Sequence, residues 1–353
     1  MTENRSIWNV LLSAVALTAL ALSNAFGSVW ASLTVGQAEW TVCNLVAALT
    51  QWALPSLVAV VGSTFLAAAH QWNLKTLWRS AIPMSVLSCV LWWLVSSAIW
   101  IQNNYPQDLD LLTFRECMAC VLEEPANIAF CQMLVSFFIL YPLLWRLSSD
   151  RKLMQYTLIL FFIMGLVEPF LHSIPYISMV TMFASQLNWG YFRAWTFYLL
   201  LGAYVTRYEL KWPTRLAIYC TGIVATGGMA ALTSWQTNLP VGYVNEYIGF
   251  SSPLTGLQTI AMVVLFRKCL SSLRAPVLTK WLAGAWSLPP LVFVSSFFAE
   301  RLLPSPTSGE LMTAVLHAVV SVAMTLGIFY AFRQLPGFCC LVGSYPARGG
   351  KAQ

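Results

Sequence analysis

Charge is what this sequence has least of. Of its 353 residues, 9% are Asp, Glu, Lys or Arg, whereas soluble domains carry about a quarter. Hydrophobic residues make up 58% of the chain, and the long apolar runs leave no stretch that resembles a separate water-soluble domain. This composition excludes an ordinary soluble protein and predicts a polytopic membrane protein.

The sequence also lacks the short motifs that mark common nucleotide-binding and metal enzymes. It has no Walker loop, no dinucleotide-binding glycine fingerprint and no His-Glu-x-x-His. Cys117 and Cys120 form its only Cys-x-x-Cys, and without a second pair or a nearby His they favour free thiols or a local disulfide over zinc. We therefore expect neither a bound metal nor a bound cofactor.

Ten stretches are apolar enough to cross a bilayer, since a crossing helix needs about 20 apolar residues. The first is longer than the apolar core of a signal peptide and is therefore interpreted as a retained helix. The predicted fold class is all-α, a polytopic membrane helix bundle of about ten transmembrane helices. The predicted spans are 7–32, 42–68, 80–101, 126–146, 153–172, 188–206, 213–234, 249–267, 282–299 and 311–332.

The basic residues give the orientation of these spans. With a cytoplasmic N-terminus, 16 of the 19 Lys and Arg residues fall on the cytoplasmic side, and only Arg115, Arg193 and Arg301 fall outside. Positively charged loops stay in the cytoplasm, so both termini are predicted to be cytoplasmic. Five acidic residues crowd the outer loop between the third and fourth spans. The net charge of +6 thus reflects topology and does not indicate a nucleic-acid partner.

Polar residues recur on one side of the first span. Ser13 and Asn24 are eleven residues apart, close to three helical turns, and Asn9 lies one turn before Ser13. An amide facing lipid would leave its polar atoms without hydrogen bonds, so we expect Ser13 and Asn24 to face the bundle interior. Hydrogen bonds between helices would by themselves explain this stripe.

Few ionisable groups lie within the spans, and such groups are candidates for function. Glu168 and His172 are four residues apart at the outer end of the fifth span, so they share a face although Pro169 loosens the turn. They could transfer a proton or simply cap the helix end. His317, in the tenth span, could act as a base or hydrogen-bond a neighbouring helix.

Several segments, taken in order, resemble the acyltransferase 3 family of integral membrane O-acyltransferases. The similarity is greatest to its surface-polysaccharide O-acyltransferase-like branch. The segments are LTQWALPSLVAVVGSTFLAAAHQWNLKTLWRSAIP (49–83), PANIAFCQMLVSFFILYPLLWRL (125–147), GYFRAWTFYLLLGAYV (190–205), NEYIGFSSPLTGLQTIAMVVLFRK (245–268) and FRQLPGFCCLVG (332–343).

The resemblance implies one transmembrane domain over residues 1–335 and a short cytoplasmic tail over 336–353. It implies an enzyme that moves an acyl group from cytoplasmic acyl-CoA, its co-substrate, to a hydroxyl of a cell-envelope polysaccharide or a similar acceptor. The expected location is a bacterial plasma membrane, as a multi-pass protein. The expected partners are the lipid bilayer, acyl-CoA and the envelope glycan.

The family's signature in the first helix is an Arg and a His separated by ten residues, with an Asp shortly before. This register places Asn9 at the Asp, Ser13 at the Arg and Asn24 at the His. Further family His residues are replaced in the fourth span, near Asn127, and in the ninth, at Val294 or a neighbour. Asn cannot accept a proton near pH 7 and Ser carries no charge, so the catalytic motif is degenerate.

Candidate site residues follow from the stripe, the ionisable groups and the resemblance together. Since Asn24 cannot serve as a base, Glu168, His172 or His317 would have to. The catalytic candidates are Ser13, Asn24, Glu168, His172 and His317, and the substrate-binding candidates are Asn9, Gly62, Asn127 and Arg193.

The replaced motif leaves other functions open. A catalytically impaired relative could bind acyl or lipid ligands or serve as an accessory subunit. A transporter of a polysaccharide or lipid intermediate is a further alternative, although the scarcity of buried charge argues against ion coupling.

Overall fold

The computed structural model describes residues 7–30, 33–67, 72–104, 129–172, 194–237, 248–270, 282, 284–303 and 311–334. Over these residues every regular element is helical, which confirms the all-α class. The helices are α1 (Ile7–Trp30), α2 (Ala38–Thr50), α3 (Ala53–Phe65), α4 (Ile82–Asn104), α5 (Ala129–Ser148), α6 (Arg151–Phe162), α7 (Glu168–His172), α8 (Ala194–Arg207), α9 (Trp212–Thr237), α10 (Pro253–Leu270), α11 (Pro289–Leu302) and α12 (Leu311–Gln334).

Within the described ranges, eight helical segments are long and apolar enough to cross a membrane. They correspond to eight of the ten predicted spans, and the chain is therefore a multi-pass membrane protein. The segments are Ile7–Trp30, Ala38–Phe65, Leu74–Ile99, Ala129–Ser148, Arg151–Leu171, Trp212–Trp235, Pro253–Leu270 and Leu311–Gln334.

The other two predicted spans contain shorter helices. α8 and α11 are 14 residues each, about 21 Å at 1.5 Å per residue, against a hydrocarbon core of about 30 Å. The ninth span was predicted to be helical from residue 282, but α11 begins only at Pro289. Gly284 has a φ of +98° and is followed by a 3₁₀ turn, Ala285–Ser287. This non-helical segment is buried against protein, which is where irregular backbone is tolerated in membranes.

The second crossing is interrupted at Gln51 and Trp52, where α2 ends and α3 begins. Pro55 lacks the N–H that would bond to the carbonyl of Gln51, which accounts for the break. The side chain of Gln51 forms a contact outside its own helix, because its Nε2 donates to the carbonyl of Ile248 at 3.0 Å. The side chain therefore ties the break to the segment that precedes α10.

The fifth crossing widens into a π-helical turn, Ile163–Val167, between α6 and α7. The N–H of Glu168 donates to the carbonyl of Ile163, five residues back. Pro169 cannot donate to Gly165, so the regular α-helical ladder cannot continue there. The loosening that the sequence predicted at Pro169 is confirmed, and it takes the form of a π turn.

Small residues bring α3 and α8 together at the centre of the bundle. A Cβ added to Gly62 would lie 1.8 Å from the carbonyl oxygen of Leu199, and one added to Gly202 would lie 1.8 Å from that of Ala59. Only glycine permits backbones to approach this closely. Gly62 and Gly202 therefore fix the packing of the two central helices.

Four helix ends meet on one surface, here named the basic face. Arg207, the last residue of α8, donates to the carbonyls of Leu66, just after α3, and Ser148, the last residue of α5. Arg267, near the end of α10, donates to the carbonyls of Tyr208 at 2.8 Å and Thr206 at 3.0 Å. These helices correspond to the second, fourth, sixth and eighth predicted spans, which should all end on the same side.

The outer helices expose apolar side chains. Ile223 and Val224 of α9 are 74% and 73% exposed, and Met312 of α12 is 79% exposed. Apolar surface of this kind suits contact with lipid acyl chains. By contrast, α3 is almost wholly buried, with α1 and α8 packed directly against it.

Candidate functional site

The polar stripe of α1 contributes to two separate clusters. The inner cluster consists of Asn9 and Ser13 of α1 with Ser63 of α3. Ser13 Oγ donates to the carbonyl of Asn9 at 2.8 Å, and Ser63 Oγ lies 3.0 Å from Asn9 Oδ1, to which it can donate. Ser13 is 2% exposed, so the prediction that it faces the interior is confirmed.

A small cavity adjoins the inner cluster. Asn9 and Ser13 line it on one side, and Gly284 and Trp286 of the non-helical segment before α11 line it on another. Its volume is about 20 Å³, which is room for about one water molecule. The position of Ser13, which the resemblance aligns with the family's Arg, is therefore closely packed, with space for a small polar group.

The outer cluster consists of Asn24 of α1, Ser296 of α11, and Ser321 and His317 of α12, and hydrogen bonds among the first three residues join the helices. Asn24 Nδ2 lies 3.5 Å from Ser296 Oγ, and Ser296 Oγ lies 3.0 Å from Ser321 Oγ. The amide of Asn24, a half-buried residue, thus faces α11, as its place on the stripe predicted. Three helices share one short chain of polar groups.

His317 lies one turn before Ser321 on the same face of α12 and is 3% exposed. This spacing places a proton acceptor one helical turn from two linked hydroxyls, which can relay a proton. Of the titratable candidates whose side chains the structure describes, His317 is the one that shares a helix face with a residue of these clusters, Ser321. The outer cluster is therefore the stronger candidate for chemistry.

The remaining candidates lie elsewhere. Glu168 is half-buried on α7, which packs mainly on the π turn before it, and it belongs to neither cluster. Gly62 lies at the contact of α3 with α8, so packing accounts for it and its proposed binding role stays a prediction. His172 is the last residue of α7, and its side chain is not among those that the structure describes. Asn127 and Arg193 lie outside the described residues.

Three members of the clusters were not found from sequence. Ser63 and Ser296 come from helices distant in the chain, and isolated serines in apolar helices carry no signal of their own. Ser321 could have been found, because it follows His317 by four residues and so shares its face. Ser296 lies two residues from Val294, near the position where the resemblance placed a family His.

In the part of the chain that the structure describes, no three His, Cys, Asp or Glu side chains are grouped to hold a metal ion. Cys117 and Cys120 lie outside that part. The polar groups of the two clusters are amides, hydroxyls and one imidazole, which suit hydrogen bonding and proton transfer.

No known protein family, curated protein or solved structure matches the chain. The resemblance to the acyltransferase 3 family therefore rests on the sequence segments alone and stays a prediction.

Proposed function

We propose that this chain is a membrane-embedded O-acyltransferase of the acyltransferase 3 type. It takes an acyl group from cytoplasmic acyl-CoA and transfers it to a hydroxyl of a cell-envelope polysaccharide or a similar acceptor, in a bacterial plasma membrane. His317 serves as the base in place of the His that Asn24 replaces.

The outer cluster is the observation that carries this proposal. Asn24 occupies the first-helix His position of the resemblance, and it meets Ser296, a neighbour of the ninth-span position, across the bundle. Asn24 and Ser296, which lies two residues from Val294, are thus in contact across the bundle, although 272 residues separate them. His317, one turn from Ser321, supplies a proton acceptor at the same place.

The reaction needs one proton acceptor and one route for a proton. The acceptor hydroxyl oxygen attacks the thioester carbonyl carbon, the C–S bond breaks, and an ester and free CoA form. The hydroxyl proton passes to the imidazole of His317 and then to the departing thiolate of CoA. Ser296 and Ser321 orient the imidazole and the acceptor, and the low-dielectric interior strengthens these hydrogen bonds.

A transfer assay tests the proposal. The purified chain in detergent is given acyl-CoAs of several chain lengths, with and without an acceptor glycan, and free CoA is measured by mass spectrometry. A positioned general base contributes about 10²–10⁴-fold, so His317→Gln should lower turnover at least about 100-fold. Thr325→Val is the matched control, since Thr325 is buried one turn beyond Ser321 and donates only within α12.

Equal turnover by His317→Gln and the parent chain would remove His317 from the mechanism. No turnover above a heat-denatured sample, at any acyl length, would overturn the enzyme proposal as a whole. A loss shared by Thr325→Val would show that the change at His317 acts through packing.

One observation favours a second candidate, a catalytically impaired relative that binds acyl or lipid ligands. The inner cluster has lost the family's Arg and Asp, and its cavity of about 20 Å³ is too small for an acyl chain. This candidate predicts binding of acyl-CoA or lipid to the purified chain without release of CoA. The same assay therefore separates the two proposals.

A further inference from the structure

A cationic cleft of about 150 Å³ lies where the end of α8, the start of α9 and the end of α10 meet, beside the basic face. Three cations line it, Arg215, Arg267 and Lys268, against one carboxylate, Glu209. The wall also includes apolar side chains such as Val205 and Val264. The cleft is several times larger than the cavity of the inner cluster and carries a formal excess of positive charge.

Arg267 is held in a fixed position within this cleft. Its two terminal nitrogens donate to the carbonyls of Tyr208 and Thr206, at 2.8 Å and 3.0 Å. The carbonyl groups accept hydrogen bonds from the guanidinium, but they do not neutralise its charge. The backbone after α8 therefore anchors a cation at the wall of the cleft.

Arg215 presents a donor that nothing else in the described structure satisfies. Its guanidinium carbon lies 5.6 Å from the centre of the Trp212 ring, so the side chain is half-buried against the aromatic face. Its Nε is buried and has no hydrogen-bond partner among the described residues. A buried donor without an acceptor is unfavourable, so the site favours a ligand whose oxygen atoms can accept hydrogen bonds from the guanidinium.

We propose that the cationic cleft binds a phosphate group, and that its source is an anionic phospholipid of the cytoplasmic leaflet. A phosphate offers several acceptor oxygens to the guanidinium groups and neutralises the excess charge. The cleft lies at the cytoplasmic ends of the helices by the predicted orientation, at headgroup depth, where basic pockets between helices bind anionic lipids. Leu210, a half-buried residue that also lines the cleft, provides apolar surface that suits a lipid better than a free ion. The inference does not depend on acyl transfer.

Lipid binding by the full chain in detergent tests the proposal, with native mass spectrometry as the readout. Phosphatidylglycerol is titrated against phosphatidylcholine, and inorganic phosphate and CoA are titrated in parallel as soluble phosphate compounds. We expect Arg215→Gln to weaken phosphatidylglycerol binding at least about fivefold, since a charged hydrogen bond is lost. Arg215→Lys should restore part of the affinity, and Glu209→Gln should increase it because the opposing carboxylate is removed.

Two further variants keep the test decisive. Lys268→Gln changes an exposed residue of the same cleft and should also weaken binding, even if Arg215→Gln folds poorly. Lys152→Gln removes the same charge from an exposed residue outside the cleft and should leave binding unchanged. Equal losses in Lys152→Gln and Arg215→Gln would overturn the proposal, because only bulk charge would matter. Arg215-dependent binding of phosphate or CoA, without binding of the lipid, would keep the phosphate site and overturn its lipid source.

Discussion

At the scale of single residues, the two central glycines decide whether the bundle can form. The position of Gly62 leaves no space for a methyl group, because the carbonyl of Leu199 would lie 1.8 Å from it. The same holds for Gly202 against Ala59. The resemblance predicted that Gly62 is a binding residue. The structure gives it a packing role, which no local sequence pattern predicted.

Gly62→Ala should therefore lower the thermal stability of the purified chain in detergent. The backbone cannot yield without separating α3 from α8, and overpacking of this kind is unfavourable by about 3 kcal/mol or more. Gly227→Ala in α9 is the control, since a Cβ there meets nothing within 4 Å. It should be neutral or slightly stabilising, because alanine favours the helix by up to about 1 kcal/mol. Equal stability of the two variants would contradict the packing described for α3 and α8.

The residues of the polar clusters differ in how much of their placement could be predicted from the sequence. The spacing of Ser13 and Asn24 was enough to predict that both face the interior, because a helix fixes which residues share a side. Their partners Ser63 and Ser296 were beyond prediction, since they depend on how distant helices pack. His317 could be singled out as an ionisable residue within a span, but the packing of its helix against α1 and α11 could not be predicted.

At the scale of elements, hydrophobic length predicted the helices well and their irregularities less well. Eight spans appear as continuous or kinked crossings, because about 20 apolar residues in lipid must satisfy their backbone internally. Prolines explain the departures at Pro55 and Pro169. The late start of α11 depends on the left-handed conformation of Gly284. The apolar sequence around Gly284 could not predict this conformation.

Arg207 links three of these elements, and its removal should loosen the basic face. Arg207→Ala would leave the carbonyls of Leu66 and Ser148, two fully buried residues, without their charged donor. The expected loss of stability is about 2–4 kcal/mol, measured as a lower unfolding midpoint in detergent. Arg207→Lys should recover only part of it, since an ammonium group does not reproduce the planar fork.

Arg146→Ala provides the matched control for Arg207. Arg146 is exposed near the end of α5 on the same surface, and its loss should change stability by no more than about 0.5 kcal/mol. A similar decrease in both variants would mean that charge on this face, and not the bridge to two carbonyls, stabilises the helix ends.

At the scale of the whole molecule, the central claim is a multi-pass bundle with a cytoplasmic basic face and a polar cluster towards the opposite side. The distribution of Lys and Arg predicted the orientation, and the meeting of α3, α5, α8 and α10 ends around Arg207 and Arg267 agrees with the predicted alternation. The acyl-transfer proposal depends on this arrangement, because the donor and the acceptor must reach the bundle from opposite sides.

Cysteine accessibility in intact cells measures this arrangement most directly. Gln37 lies in the exposed loop between α1 and α2, on the predicted outer side, and Lys152 lies exposed at the start of α6, on the predicted cytoplasmic side. A membrane-impermeant thiol reagent should label Gln37→Cys above the level of the parent chain, and should label Lys152→Cys only after the membrane is opened. Labelling of Lys152→Cys in intact cells, with Gln37→Cys protected until lysis, would contradict the account.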